Sequence, residues 1–146
     1  MAKGKVTVFI AHSFAPRDSS VVGSVKEVIR AAGMDCVTGE PPEATTLADK
    51  VRRRIARADL FVAVMTRRHR AEGTQDWTTS PWVVEEKGYS LGQRPGRPII
   101  PLVEEGIPVP AETGGLGGDA EVIFFTRPRF AAAEEKLRQM LAALQL

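Results

Sequence analysis

An open three-layer α/β sandwich is the fold class this sequence predicts, and two observations carry the prediction. Five short runs rich in β-branched and aromatic residues alternate with segments whose apolar residues recur every three to four positions. Such alternation means parallel strands joined by right-handed helical crossovers, with helices on both faces of the sheet. With 146 residues, 43% of them hydrophobic and 26% charged, the chain has the size and composition of one soluble globular domain. It is read as a single domain over residues 1–146.

Residues 5–11 (Lys-Val-Thr-Val-Phe-Ile-Ala) alternate only weakly, as a strand buried on both faces does, and are assigned to the central first strand. After the polar residues 13–20, Val21, Val25, Val28, Ile29 and Ala32 form a helical stripe that Gly33 closes at the C-cap position. A short strand spans 34–38. Pro41 and Pro42 exclude a helix from the loop 39–45, and a second helix starts near Thr46 on the stripe Leu47, Val51, Ile55 and Ala58. Residues 60–65 are the most continuous apolar run and form a third, buried strand. A polar loop over 66–79 leads into a helix over 81–92, which Ser80 as N-cap and Pro81 as first helical residue start abruptly. Strands at 98–103 and 121–125 follow, and Phe130, Ala133, Leu137, Met140, Leu141 and Leu144 stripe a closing helix. The run Gly114-Gly115-Leu116-Gly117-Gly118 precedes a strand and not a helix N-terminus, so it reads as a connector in place of a helix, not as a phosphate loop.

Sheets of this flavodoxin-like kind commonly run in the order 2-1-3-4-5 and bind ligands beyond the carboxyl ends of strands one and three, where the order reverses. Three segments are therefore expected around one crevice: His12, Ser13 and Phe14 after strand one, Thr66 after strand three, and the helix start from Ser80 to Glu86. On that helix Trp82 and Glu86, at i and i+4, share a face. Glu85, at i+3, is a rival within reach of the same tryptophan.

Several classes are set aside. No apolar run approaches the roughly 20 residues of a spanning helix, and no signal-peptide core precedes the first strand, so a cytoplasmic chain without a membrane partner is expected. The single cysteine, Cys36, lies in an apolar run and reads as an inert thiol. His69 has no cysteine or paired acid at ligand spacing, so no metal site is expected. A net charge of +2 does not by itself call for nucleic acid. Arg52, Arg53, Arg54 and Arg57 cluster, as do Arg67, Arg68, His69 and Arg70, but neither group interleaves the aromatics of a nucleic-acid groove. Both are read as solvated or self-association faces. A phosphoryl-accepting receiver needs acids after strand one and at the end of strand three, where this chain has His12-Ser13 and Met65-Thr66.

Four blocks, in order, resemble a bacterial Toll/interleukin-1 receptor (TIR) domain: Val8-Phe9-Ile10-Ala11-His12-Ser13 with Asp18; Thr38-Gly39-Glu40-Pro41-Pro42; Asp59-Leu60-Phe61-Val62-Ala63-Val64-Met65-Thr66; and Ser80-Pro81-Trp82-Val83-Val84-Glu85-Glu86. The resemblance extends through Pro98-Ile99-Ile100-Pro101-Leu102. In the family's pattern a tryptophan is followed four residues later by a glutamate and four later again by a small residue, here Trp82, Glu86 and Ser90. Many such TIR domains cleave the nicotinamide-ribose bond of NAD with that glutamate. The resemblance thus implies an NAD glycohydrolase, with or without cyclisation of the ADP-ribose product, in bacterial immune or anti-phage signalling. NAD is its substrate, and no cofactor is implied. Glu86 would be catalytic, with His12, Ser13, Phe14, Glu40 and Trp82 around the substrate. The implied protein partners are other TIR surfaces, through self-association, and a sensor or effector protein. The loop 67–79 is long for the family, and the helix between strands four and five is degenerate.

The chemistry agrees with one carboxylate. Breaking an N-glycosidic bond develops positive charge on the ribose, which a fixed carboxylate stabilises more strongly as it forms. The nicotinamide nitrogen is already cationic, so its departure needs no proton donor. Trp82 is either a platform for the flat ring or ribose, or a core anchor. Glu40 is either a lid over the substrate or a loop charge. The basic group 67–70 lies beside the crevice and has the further option of holding the NAD pyrophosphate. Two functions compete with turnover of NAD: a non-catalytic TIR–TIR adaptor, and a nucleoside deoxyribosyltransferase-like enzyme on the same sheet.

Overall fold

In the computed structural model, which describes residues 4–39, 47–94, 96–108 and 121–144, the run Leu60–Met65 is buried at every position because it lies mid-sheet with helices on both sides. The elements in chain order are β1 (Thr7–Ala11), α1 (Ser19–Ala31), β2 (Asp35–Val37), α2 (Leu47–Arg57), β3 (Leu60–Met65), α3 (Pro81–Gln93), β4 (Ile99–Glu104), β5 (Ile123–Phe125) and α4 (Phe130–Ala143). All strand pairs are parallel, in the order β2-β1-β3-β4-β5. This is the expected three-layer sandwich with its expected strand order.

The two faces of β3 divide the core. Leu60, Val62 and Val64 pack with Val8, Ile10, α1 and α4, whereas Phe61, Ala63 and Met65 pack with Phe9, Ala11, α2 and α3. Strand geometry dictates the split, since successive side chains point to opposite faces. Register puts Ala11 beside Ala63, so β1 and β3 end near one level at the reversal of strand order. The C-terminal end of α1 is a Schellman motif: Gly33 takes φ +80°, its N–H donates to Arg30 O at 2.9 Å, and Met34 N–H donates to Ile29 O at 3.3 Å.

The polar loop after β3 is not irregular. Arg68 N–H donates to Thr78 O at 2.8 Å, Thr78 N–H to His69 O at 2.7 Å and Ala71 N–H to Asp76 O at 2.8 Å, closing a hairpin with an antiparallel bridge between Arg70 and Trp77. Its pairing depends on contacts distant in sequence. Trp77 N–H donates to Gly106 O at 2.8 Å, and the Arg67 and Arg70 guanidiniums lie 5.3 and 4.9 Å from the centre of the Trp77 ring. Gly106 itself has φ +100°, and a Cβ there would stand 2.8 Å from Trp77 Cδ1. The expected glycine-rich connector at 114–118 and Glu40 lie outside the described residues.

Candidate active site

The start of α3 is fixed by its neighbours. Ser80 is extended and Pro81 opens the helix, but the Ser80 side chain makes no capping bond, contrary to the expectation from sequence. Instead the Thr79 hydroxyl donates to Thr66 O at 2.9 Å, tying the helix start to the end of β3. From there α3 turns Val83, Glu86 and Ser90 inward and leaves Glu85 exposed.

Glu86 is only 5% exposed, and among the described residues its Oε2 has no hydrogen-bond partner. Burial pushes its carboxyl from an ordinary value of 4.5 up to about 8, against a smaller downward pull from the Trp82 indole N–H. That indole is near enough to act on the charge without reaching hydrogen-bond geometry, since Trp82 Nε1 also lacks a partner among the described residues. Around the pair lies a cleft of about 260 Å³ between α2 and α3, lined by Val51, Arg52, Ile55, Trp82, Glu85, Glu86 and Tyr89. Arg52 and Tyr89 were not singled out from sequence. Helical spacing offered a signal for Tyr89, one turn beyond Glu86, whereas Arg52 arrives through the packing of α2 on α3, with Cζ 5.7 Å from the Tyr89 ring centre.

The crevice at the strand reversal is a neighbouring hollow of about 590 Å³, lined by Ser13, Ala15, Arg17, Thr66, Arg67, Arg68, Ser80, Pro81, Trp82 and Glu85. Trp82 and Glu85 line both hollows, and Glu86 lines only the smaller. The strand-one residues divide between sites. Ser13 faces the crevice, and its Oγ accepts from Ala15 N–H at 3.0 Å to hold the turn. His12 and Phe14 line a third hollow of about 220 Å³ with residues of α1, where Ser13 also takes part. His12 Nδ1 donates to Ser13 O at 2.8 Å and its ring meets Phe14 edge-on at 4.8 Å. Phe14 is 52% exposed and leans on Gly39, where a Cβ would stand 3.3 Å from its Cζ.

Ser90, the small residue of the spacing pattern, is fully buried and accepts from Arg97 Nη1 at 2.9 Å. It meets one nitrogen of a buried guanidinium, whose Nη2 donates to Gln93 Oε1 at 2.8 Å and whose Nε has no partner among the described residues. Thr66 and Arg67, which line the crevice, also bond to an ionic cluster outside its lining. Asp18 accepts from Thr66 Oγ1 at 2.9 Å and from Arg127 Nη2 at 2.5 Å, while Glu104 accepts from Arg127 Nε at 3.1 Å and from Arg67 N–H at 2.9 Å. Burial draws the Arg127 pKa down, but the bonds to Asp18 and Glu104 outweigh it and the net shift is upward. Among the described residues no group of three or more His, Cys, Asp or Glu side chains is placed to hold a metal ion, and no helix is long and apolar enough to cross a membrane.

A parallel sheet in the order β2-β1-β3-β4-β5 between two helical layers defines the flavodoxin-like class, in which ligands commonly bind beyond the strand ends. The chain belongs to the TIR domain family, whose sequence model matches residues 8–141. Among curated proteins, none matches this chain in sequence. Solved structures share its fold at low identity. The CMP N-glycosidase BcmB of Clostridium botulinum has a TM-score of 0.60 at 16% identity, over 94% of this chain and 99% of that one. A 2-deoxyribosyltransferase of Bacillus psychrosaccharolyticus gives 0.61 at 12% identity, over 93% and 96%. The TIR domains of the activated Roq1 resistosome give 0.54 at 13%, over 96% and 86%.

Proposed function

We propose that this TIR domain is an NAD glycohydrolase that cleaves the nicotinamide-ribose bond, with Glu86 as the catalytic carboxylate and Trp82 as the platform beside it. The observation that carries the reading is the Glu86 carboxyl, 5% exposed and with Oε2 unpartnered among the described residues, in a cleft of about 260 Å³. A buried carboxylate without a cation or a full set of donors costs stability, and such groups concentrate at functional sites. A cationic ligand relieves the cost. Nicotinamide riboside groups carry that charge, so their entry favours the ionised carboxylate.

In the reaction the C1′–N bond breaks with its electron pair moving to the ring nitrogen, which leaves as neutral nicotinamide. The ribose takes up the positive charge and Glu86 faces it until water, or a nucleophile of the same molecule in a cyclising reaction, adds to C1′. Tyr89 and Trp82 flank the carboxylate and exclude water from the leaving ring. His12, Ser13, Phe14 and Glu40 then serve the outer parts of the substrate. Immune or anti-phage signalling from a cytoplasmic position suits the family and this activity.

The test is nicotinamide release from NAD by the purified protein, its Glu86→Gln variant and its Glu85→Gln variant. We expect release to fall by about 10²- to 10³-fold in the first and to persist in the second. Equal activity of wild type and Glu86→Gln sinks the assignment. A second reading, a TIR–TIR or sensor-binding module, draws on the exposed Arg52, Arg53 and Arg57 along α2. It is favoured if NAD, CMP and deoxynucleosides all remain intact, whereas deoxynucleoside turnover alone points to a deoxyribosyltransferase.

A further inference from the structure

The Glu86 cleft contains a cation that the proposed reaction does not use. Arg52 lines it together with Trp82, Glu85, Glu86 and Tyr89, and its Cζ lies 5.7 Å from the centre of the Tyr89 ring. Helix packing accounts for the placement. On α2 the buried Val51 and Ile55 pack in the cluster that Trp82 and Tyr89 of α3 lean against, and Arg52, next to Val51, is carried to the exposed edge of that seam. Two residues along, Arg54 is tied down, donating from Nη1 to Thr38 O at 2.9 Å. The Arg52 guanidinium instead rests on the aromatic face, and among the described residues it makes no hydrogen bond or ion pair. The acids beside it do not capture it. Glu86 is buried and keeps its proton up to a pH of about 8, so it offers no charge to pair with. Glu85 is exposed, and a pair with it gains little against water. An exposed cation on an aromatic face is held only by a factor of about two to five in an equilibrium, so the side chain leaves easily. Its departure also makes room. The cleft of about 260 Å³ falls short of the roughly 300–1,000 Å³ of sites that enclose small ligands.

We propose that Arg52 is a displaceable gate of the Glu86 cleft: its guanidinium occupies the face of Tyr89 on which a flat cationic ring of the ligand stacks, and one cation leaves as the other enters. The proposal rests on the glycohydrolase reading, which makes that ring a nicotinamide. Arg52 is then a specificity-determining residue. A flat cation gains both the Tyr89 face and the Glu86 carboxyl, which together offset the lost guanidinium contact. A neutral ring gains the face alone and meets the same competitor.

Calorimetric titration with the 1-methylnicotinamide cation tests the gate without turnover. Arg52 is exposed, so its replacement leaves folding intact. Binding should tighten by about fivefold in Arg52→Gln and return to within about twofold of wild type in Arg52→Lys, which restores a cation. In a Tyr89→Leu background the gain from Arg52→Gln should shrink below about twofold, because the contested face is gone. The Arg52 Nε–H proton resonance supplies a check that leaves Tyr89 in place: saturation of the wild-type protein with 1-methylnicotinamide should carry it away from the ring-shielded position toward that of free arginine. Equal tightening with and without Tyr89→Leu makes Arg52 a distant charge and overturns the gate. So do equal tightening in Arg52→Gln and Arg52→Lys, unchanged affinity in Arg52→Gln, an unmoved Arg52 resonance, or no binding to any of these proteins. If the gate results hold while no nicotinamide is released from NAD, Arg52 guards a cation site and the glycohydrolase reading falls. If Glu86 is needed to cleave NAD but Arg52→Gln changes nothing, that reading stands and the gate falls.

Discussion

Glu86 and Asp18 are both acids sealed from water, 5% and 1% exposed, one on α3 and the other just before α1. Around Asp18 the chain supplies a cation and a hydroxyl: Arg127 bridges it to Glu104, and Thr66 fills its second oxygen. Around Glu86 the cleft is lined by Val51, Ile55, Trp82 and Tyr89, with Arg52 and Glu85 also on its wall, and no ion pair to Glu86 forms among the described residues. Burial alone therefore says little about purpose. A satisfied acid ties β3, β4, α1 and the turn at Arg127–Arg129 into one cluster. An unsatisfied one holds free energy that a bound cation releases.

The contrast can be broken most sharply at Glu86. Glu86→Gln removes the charge and keeps the shape, so NAD turnover should fall as stated above while the fold gains stability at alkaline pH. The sign follows from the raised carboxyl: its folded pKa of about 8 exceeds the unfolded 4.5, so the neutral form's stability is complete below 4.5 and is lost as pH rises through 8. Melting curves at pH 5 and pH 9 should show the variant gaining on wild type only at the higher pH. Arg127→Met should do the opposite. It strands two buried acids at neutral pH, and unfolding in denaturant should reveal a loss of about 2–3 kcal/mol, reduced from that of a fully sealed pair because the Arg127 side chain is 32% exposed. Unchanged stability there implies that the cluster is not held by charge.

The smaller effects concern kinetics. In the free enzyme kcat/KM should rise with pH with a midpoint near 8, as Glu86 ionises, and the midpoint in kcat should sit lower because the bound cation favours the charged carboxyl. A profile flat from pH 6 to 9 argues against an ionised Glu86 in the rate-determining step. Trp82→Phe keeps a flat ring but deletes the N–H that faces Glu86, and should cost only a few-fold in kcat/KM while moving the midpoint upward. An unmoved midpoint assigns the indole to packing alone.

What the sequence made legible was whatever depends on local period. The five strands, the stripe of α1, the Gly33 stop and the i, i+4 relation of Trp82 to Glu86 are properties of neighbouring residues, and all appear in the structure within a residue or two of their expected bounds. The strand order followed from the fold class, whose sheets commonly run 2-1-3-4-5. The hairpin after β3 was hidden because its pairing is stabilised by Gly106, nearly 30 residues beyond Trp77. Arg127 was hidden for the same reason, since its partner Asp18 lies 109 positions away. Helical spacing put Glu86 beside Trp82, but which hollow that face opens into depends on how α2 packs against α3. Glu86 accordingly sits in a cleft adjoining the crevice expected from topology, and Glu85 takes the rim between them.

The chain has two tryptophans, and the structure gives them different surroundings. Trp77 is clasped between two guanidiniums on the hairpin, whereas Trp82 partitions the two hollows. Intrinsic fluorescence thus contains two separable optical channels, one for the hairpin and one for the wall a ligand has to pass. Replacing either indole by phenylalanine isolates the other, so motion of the hairpin can be timed apart from events at the wall between the two hollows within one unlabelled protein.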